Sequence, residues 1–129
     1  MQGSTYIIGP DRAVAEVWET LGAAGITIEA SSTYPSPEGR NVRIVIQDEH
    51  ADAARDVLLD AGFGAIDRRE VLIADIENRP GELGRLARRI ADKGATLTTL
   101  FMAMGDRVVI GADNLDLVRS ALADPSTDS

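Results

Sequence analysis

Apolar residues along the chain follow a helical spacing in two places, and a glycine follows each of them. In residues 11–24 and 81–93, apolar side chains recur at i, i+3, i+4 and i+7, the spacing that gives a helix one buried stripe. Gly25 and Gly94 come directly after these segments, where a left-handed helix C-terminus favours glycine. The two stripes consist of Val14, Val17, Trp18 and Leu21 and of Leu83, Leu86, Ala87 and Ile90. The pattern predicts two amphipathic helices.

Segments rich in β-branched residues follow both predicted helices and predict strands at residues 26–28 and 95–100. Residues 41–47 and 107–110 return as their hairpin partners, the second after a tight turn at Gly105. The remaining predicted elements are helices at 49–61 and 114–122, with Asp48 and Asp113 as N-caps, and a strand at 65–70 that continues into a strand at 71–76. Each half of the chain therefore has the order strand, helix, strand, strand, helix.

The two halves of the chain form an internal repeat. An offset of 69 residues places residues 21–28 over residues 90–97, in the same apolar phase and with the two glycines aligned. Beyond the hairpin the offset falls to 64, which aligns residues 44–46 with residues 108–110. The first copy is therefore expected to have a hairpin about five residues longer, at residues 34–40.

This element order predicts an α+β fold of two ferredoxin-like β-α-β-β-α-β units in tandem, each an antiparallel sheet with both helices on one face. After Leu122 only a short polar segment remains, so the second unit lacks its last strand. We predict the first unit at residues 1–69, the second at 70–123 and a disordered tail at 124–129. Strand 71–76 is then an open sheet edge, and we expect a second protomer to cover it.

The acidic composition narrows the choice of partners. The sequence carries 13 Lys and Arg against 21 Asp and Glu, a net charge of −8, which repels nucleic acid and anionic membranes. Without cysteine it has no disulfide, thiolate metal site or cysteine nucleophile. Its one histidine, His50, is interpreted as a solvated side chain, because no metal ligands or catalytic partners converge on it. We therefore expect a non-enzymatic protein with no cofactor and no metal.

The expected location is the cytoplasm. No apolar run approaches the roughly 18 residues that a membrane span requires. Residues 1–10 do not show the basic-then-apolar order of a secretory signal peptide.

The clearest candidate for chemistry is the turn between strand 71–76 and helix 81–93. The backbone N–H groups of Gly81, Glu82 and Leu83 have no partners within the helix, and the helix dipole favours a carboxylate there by roughly 0.3–1 kcal/mol. Gly81 allows a ligand to approach the backbone closely. Glu82 can accept an ammonium group. The turn is therefore predicted to bind a small anionic group.

Asn78, Arg79 and Pro80 shape the approach to this helix. Pro80 fixes the entry angle and keeps Arg79 extended. Asn78 can hydrogen-bond the amine or the carboxylate of a ligand. The simpler alternative is that Pro80 only starts a helix, while Asn78 caps the turn and Arg79 is solvated. Three arginines on the same helix are interpreted as its solvated face, or else as a docking surface for an acidic partner: Arg85, Arg88 and Arg89.

The turn and its flanking elements resemble the ACT domain, a small ferredoxin-like module that regulates amino-acid metabolism by binding amino acids. The motif here reads Val-Leu-Ile-Ala-Asp-Ile-x-Asn-Arg-Pro-Gly-Glu-Leu-Gly, followed by a stretch of helix and then Gly-Ala-Thr-Leu. Gly62 and Phe63 ahead of it resemble the junction in stand-alone double-ACT proteins. The resemblance covers residues 4–122, nearly the whole chain.

The resemblance implies that a ligand binds where the turn of one ACT unit faces the second strand of another unit. Carried over to this sequence, the implied ligand-binding residues are Asn78, Arg79, Pro80, Gly81, Glu82 and Leu83, with Thr96, Leu97 and Thr98 on the facing strand. In copy one, Gly9, Pro10, Asp11 and Arg12 replace the motif. Asp11 as an N-cap would place its own carboxylate on the free N–H groups, so copy one is expected to be a structural partner.

The resemblance implies a non-enzymatic regulatory protein that binds a small molecule, an amino acid, and works as a homodimer. An alternative is a regulatory subunit that controls a metabolic enzyme in trans without a ligand of its own. A small enzyme is the least favoured function, because no nucleophile, base or metal group can be assembled from these residues.

Overall fold

The computed structural model describes residues 1–9, 14–37, 39–63 and 66–123. These ranges form six strands and four helices, which confirms the predicted α+β class. In chain order the elements are β1 (Gln2–Ile8), α1 (Ala15–Ala23), β2 (Ala30–Ser36), β3 (Gly39–Gln47), α2 (Asp48–Asp60), β4 (Ile66–Asp75), α3 (Glu82–Asp92), β5 (Leu97–Ala103), β6 (Arg107–Ala112) and α4 (Leu115–Ala123). The chain divides into two compact units, an N-terminal unit of Gln2–Glu70 and a C-terminal unit of Val71–Ser129 together with Met1.

The N-terminal unit has the strand order β2-β3-β1-β4, with residues 66–70 of β4 as its last strand. Its neighbouring strands are antiparallel, as the pairs Tyr6↔Ile44 and Ser31↔Ile44 show. Helices α1 and α2 pack their apolar stripes on one face of this sheet. The centre of the core is fully buried and contains Tyr6, Ile8, Val17, Leu21, Ile44, Ile46 and Leu58. This is the ferredoxin-like arrangement that the element order predicts.

The C-terminal unit has the strand order β4-β6-β5, so β5 is its outer strand among the described residues. The register pairs Leu72↔Ile110 and Asp75↔Arg107 on one side of β6 and Ala103↔Arg107 on the other. Helices α3 and α4 cover one face, where the buried core contains Leu72, Leu86, Ile90, Val108, Ile110 and Val118. The described part of this unit has no fourth strand, as the sequence indicates, and residues 124–129 lie outside it.

The first hairpin is longer than the second, as predicted, but its first strand begins later than predicted. Strand β2 begins at Ala30, and the residues predicted as a strand, 26–28, are irregular. Ile26 and Ile28 alternate like strand residues because both pack against the N-terminal core. Residues 34–40, predicted to make this hairpin longer than the second one, extend its strands, since Ser36 pairs with Gly39 across a tight turn.

Two predicted helix caps are wrong. Asp48 is the first residue of α2 rather than its N-cap, which is Gln47. The cap of α4 is Asn114, whose Oδ1 accepts the N–H groups of Asp116 and Leu117 at 3.0 and 3.3 Å. Asp113 bonds instead to Thr96 at the start of β5. Helix α1 begins at Ala15, and the predicted cap Asp11 lies outside the described residues.

The edge of strand 71–76 is not fully open. The expectation that a second protomer covers this edge is therefore not supported at Ile73. The carbonyl of Met1 accepts the N–H of Ile73 at 2.7 Å, and the Met1 ammonium donates to the Ile73 carbonyl at 2.9 Å. Ile73 is therefore paired within its own unit. The outer strand of this unit is β5. Among the described helices, none has the length and apolar character to cross a membrane.

Candidate functional site

The predicted turn lies at the end of β4 and delivers the chain into α3. The N–H of Ile76 donates to the carbonyl of Asp106 at 2.9 Å, which anchors the start of the turn. Within the turn, the Glu82 N–H donates to the Arg79 carbonyl at 3.2 Å. Gly81 is the N-cap of α3 and has a φ of +86°, a left-handed conformation that glycine adopts readily. The left-handed conformation of the turn is therefore a reason for glycine at this position.

The N-terminus of α3 has unused backbone donors. The N–H groups of Gly81 and Leu83 bond to no other described residue. The N–H of Glu82 likewise has no partner within the helix, but the Arg79 carbonyl of the turn accepts it. The Asn78 side chain is exposed and also makes no hydrogen bond with the described residues. These groups are available to a ligand.

Three charged side chains form a cluster on the turn. Glu82 Oε1 accepts Nη2 and Nε of Arg85 at 2.6 and 3.0 Å, and Nη2 and Nε of Arg79 at 3.1 and 3.2 Å. The Arg85 hydrogen bond is the main reason why the pKa of Glu82 lies below its ordinary value, and Arg79 adds to the effect. Arg79 Nη1 also lies 3.2 Å from Glu77 Oε2. We name Arg79, Glu82 and Arg85 the turn cluster.

Arg85 belongs to this site although the sequence interpretation placed it on the solvated face of the helix. Its guanidinium lies against the turn, since a Cβ on Gly81 would be 2.9 Å from Arg85 Nη1. Arg85 Nη2 also donates to the Pro80 carbonyl at 3.4 Å. The i, i+3 spacing of Glu82 and Arg85 is a signal for this contact, because such pairs are neighbours on a helix.

An open acidic groove borders the turn. It has a volume of about 360 Å³ and is lined by Asp75, Ile76, Glu77, Gly105 and Asp106. Three of these residues carry carboxylates, so the groove favours a positively charged group. Among the described residues no group of three or more His, Cys, Asp or Glu side chains is arranged to hold a metal ion.

The other predicted site residues, Thr96, Leu97 and Thr98, lie at the start of β5. Both backbone groups of Thr96 bond to Asp113. The Thr96 N–H donates to Asp113 Oδ1 at 2.8 Å, and the Asp113 N–H donates to the Thr96 carbonyl at 3.1 Å. Leu97 packs against the core, whereas Thr98 is exposed beside a bulge in β5. The exposed polar side chains of this segment are therefore those of Thr96 and Thr98.

The register separates this strand segment from the turn within one unit. Asp75 and Ala103 both pair with Arg107, so the turn lies at the Ala103 end of β5. Leu97 pairs with Ala112 at the opposite end. Within one unit, the two groups of predicted residues therefore lie at opposite ends of β5. In copy one the equivalent turn, residues 10–13, lies outside the described residues.

No protein-family model and no curated protein matches the sequence. Solved structures do match. A protein from Bacteroides thetaiotaomicron is 23% identical with a TM-score of 0.75, over 94% of this chain and 84% of that chain. The regulatory subunit of aspartate kinase from Thermus thermophilus, in its ligand-free form, is 18% identical with a TM-score of 0.69, over 94% and 87%. The regulatory subunit of aspartate kinase from Thermus flavus is 17% identical with a TM-score of 0.62, over 94% and 92%.

Similarity at this level of identity shows the fold. The chain shares its whole architecture with these proteins, since the alignments cover nearly all of it and most of each neighbour. The resemblance to tandem ACT proteins is thereby confirmed for the fold. What the chain binds is a separate question, which depends on the residues of the turn.

Proposed function

We propose that this chain is a non-enzymatic regulatory protein that binds an amino acid at residues 78–83 and acts as a dimer. The observation that carries the proposal is the pair of unused N–H donors on Gly81 and Leu83, next to the arginines of the turn cluster. Backbone donors at a helix N-terminus and arginine side chains both bind carboxylates. An amino acid supplies that carboxylate, and its ammonium group suits the carboxylates in and beside the turn, those of Glu82 and of the acidic groove.

The regulatory part of the proposal is supported by the fold. Two proteins that share it are named as regulatory subunits of aspartate kinase, and the match covers nearly all of this chain. The turn cluster contains no arrangement of nucleophile and base, which fits a binding role. Regulation by ligand is the function that these observations support together.

The dimer is supported by the position and character of β5. This strand is uncharged from Leu97 to Ala103 and lies at the outer edge of its sheet, where its backbone groups can pair with another strand. Met102 and Met104 are 41% and 81% exposed. Antiparallel pairing of two β5 strands would place Thr98 of the partner beside the Met102 end, which is the end where the turn lies. Such a dimer would bring both groups of predicted residues together.

A charge on β5 should disrupt this dimer. We expect the wild-type protein to sediment as a dimer at micromolar concentration and the Met102→Lys variant to sediment as a monomer. The reason is that each lysine would place an unpaired charge within an uncharged strand pair, near Thr98 of the partner subunit. Sedimentation velocity measures the outcome. Ser32→Lys, on the exposed part of outer strand β2, is the matched control and should remain a dimer. A monomeric wild-type protein, or a dimeric Met102→Lys, would contradict the proposal.

Ligand binding should stabilise the fold. Among the common L-amino acids at millimolar concentration, at least one is expected to raise the melting temperature, because a ligand present at about 100 times its Kd adds about 2.7 kcal/mol. Asn78→Ala should weaken the binding about 2- to 10-fold, the effect of losing one hydrogen bond. Thermal unfolding across the panel, followed by calorimetry on the best ligand, measures both effects. Ser120→Ala on the exposed face of α4 is the control and should bind as the wild type does.

A flat response to the whole panel would favour the second candidate function. In that case the chain would control an enzyme in trans without a ligand of its own, as the names of the aspartate kinase regulatory subunits suggest for those proteins. Capture of the same enzyme from cell extract with and without added amino acids distinguishes the two. A ligand-dependent capture supports the first function, and a ligand-independent one supports the second.

A further inference from the structure

The turn cluster leaves the proposed site with its charges already paired. Both arginines bond to the same oxygen of Glu82, at distances from 2.6 to 3.2 Å. The Glu82 side chain is only 15% exposed, whereas those of Arg79 and Arg85 are 56% and 43% exposed. A carboxylate of the protein itself therefore occupies the arginines that an incoming carboxylate would use.

Arg85 lies where a carboxylate would have to approach. Its guanidinium lies against Gly81, the residue that carries one of the unused N–H donors. A cation at the N-terminus of a helix is unfavourable by itself, because the helix dipole is positive there. Glu82 offsets this cost by its two hydrogen bonds with Arg85. Removing Glu82 from Arg85 without a replacement anion would leave the arginine beside the positive helix end.

From these contacts we infer an exchange of ionic partners on ligand binding: the ligand carboxylate takes Arg85 from Glu82, and the ligand ammonium group takes the place of Arg85 beside Glu82, which keeps its hydrogen bonds with Arg79. This inference rests on the proposed function and adds Arg85 to the ligand-binding residues. The exchange also predicts which ligands bind well. Only a molecule with a carboxylate and an ammonium group can replace Glu82 beside Arg85 and Arg85 beside Glu82.

The exchange selects against ligands with a single charge. A simple carboxylate would satisfy Arg85 but leave the Glu82 carboxylate with one arginine instead of two, beside a like charge. A simple amine would satisfy Glu82 but leave Arg85 unpaired at the positive end of α3. In both cases a partly buried charged group loses a partner that the ligand does not replace, which lowers the affinity for the ligand. The site should therefore prefer zwitterionic α-amino acids to their des-amino acids and to their decarboxylated amines.

Isothermal titration calorimetry on the full chain tests the exchange. The probes are the L-amino acids, each with its des-amino carboxylic acid and its decarboxylated amine, as in L-alanine, propionate and ethylamine. The wild type should prefer the amino acid by at least about 10-fold. Arg85→Gln should weaken amino-acid binding at least about 10-fold. The affinity of Arg85→Lys should lie between those of the wild type and Arg85→Gln. Glu82→Gln should reduce the preference over the simple carboxylate at least about 10-fold, because the like charge is gone.

The control is Arg88→Gln, an exposed arginine on the same helix, which should bind as the wild type does. If the wild type binds an amino acid but Arg85→Gln behaves like Arg88→Gln, the exchange is wrong and the proposed function stands. The same conclusion follows if Glu82→Gln keeps the full preference for the amino acid. If none of the five chains binds any amino acid, the proposed function itself fails and the exchange fails with it. Matching thermal transitions ensure that the variants are folded.

Discussion

Gly81→Val is expected to lower the free energy of unfolding by about 1–3 kcal/mol and to abolish amino-acid binding. The stability loss comes from the backbone, because a φ of +86° is strained for any residue with a side chain and most strained for a β-branched one. The new Cβ would also lie 2.9 Å from Arg85 Nη1. Since that atom is the end of a flexible side chain, Arg85 can move away, but it then leaves Glu82. Urea unfolding measures the loss.

Gly84→Ala is the matched control, three residues further along the chain. Gly84 lies inside α3 with a negative φ, and a Cβ there would meet no atom within 4 Å. Alanine is a better helix former than glycine by about 0.5–1 kcal/mol, so this variant should be more stable than the wild type. The free energy of unfolding should therefore fall on substitution of Gly81 and rise on substitution of Gly84. A Gly81→Val protein as stable as the wild type would contradict the conformation described for the turn.

The binding loss has a separate cause from the stability loss. The N–H of Gly81 is one of the two unused donors, and a valine side chain would cover the backbone on which the ligand carboxylate is proposed to lie. Calorimetry below the unfolding transition measures binding to the folded variant alone. Gly84→Ala should bind normally there, because it keeps its N–H and adds only one methyl group. Normal binding by folded Gly81→Val would place the ligand elsewhere.

The sequence predicts the helices of this fold well because their apolar periodicity is strong. Helix α3 begins and ends within a residue of its prediction, since Gly81 and Gly94 mark both ends. The strands are less well predicted, because an irregular segment that packs against the core can show the same alternation of apolar and polar residues as a paired strand. Ile26 and Ile28 alternate because they reach the core from an irregular segment, and nothing local distinguishes that case from a strand.

The caps and the turn cluster show a second kind of error, which comes from choosing among neighbouring polar residues. Asp113 and Asn114 are both good N-caps, and only the contact between Asp113 and Thr96 decides which of them caps α4. The interpretation of Arg85 as solvated similarly misses its contact with the Pro80 carbonyl, which depends on the left-handed turn at Gly81, whereas its i, i+3 pairing with Glu82 is local to the helix. Contacts set by tertiary geometry were thus missed, although the residues that make them were close to those predicted.

Ile90→Ala is expected to be the most destabilising of the substitutions considered, with a loss of about 2–5 kcal/mol. Ile90 is fully buried on α3 and belongs to the core that α3 and α4 form with β4 and β6. Truncation removes its transfer free energy and leaves a cavity that close-packed neighbours fill only in part. Because a domain of ordinary stability has only about 5–15 kcal/mol in total, the loss is a large share of it.

Leu83→Ala on the same helix is the comparison that isolates burial. The sequence places Leu83 and Ile90 on one apolar stripe, but the structure leaves Leu83 37% exposed at the first turn of α3. Its truncation should therefore cost less than half as much as that of Ile90, a difference that urea unfolding of the two variants measures directly. The Ile90→Ala protein should still bind its amino acid at low temperature, since the donors of Gly81 and Leu83 lie about two turns of α3 away from the cavity. Equal losses of unfolding free energy for Leu83→Ala and Ile90→Ala would mean that α3 does not pack as described. The position of the turn at the N-terminus of α3 would then be wrong as well.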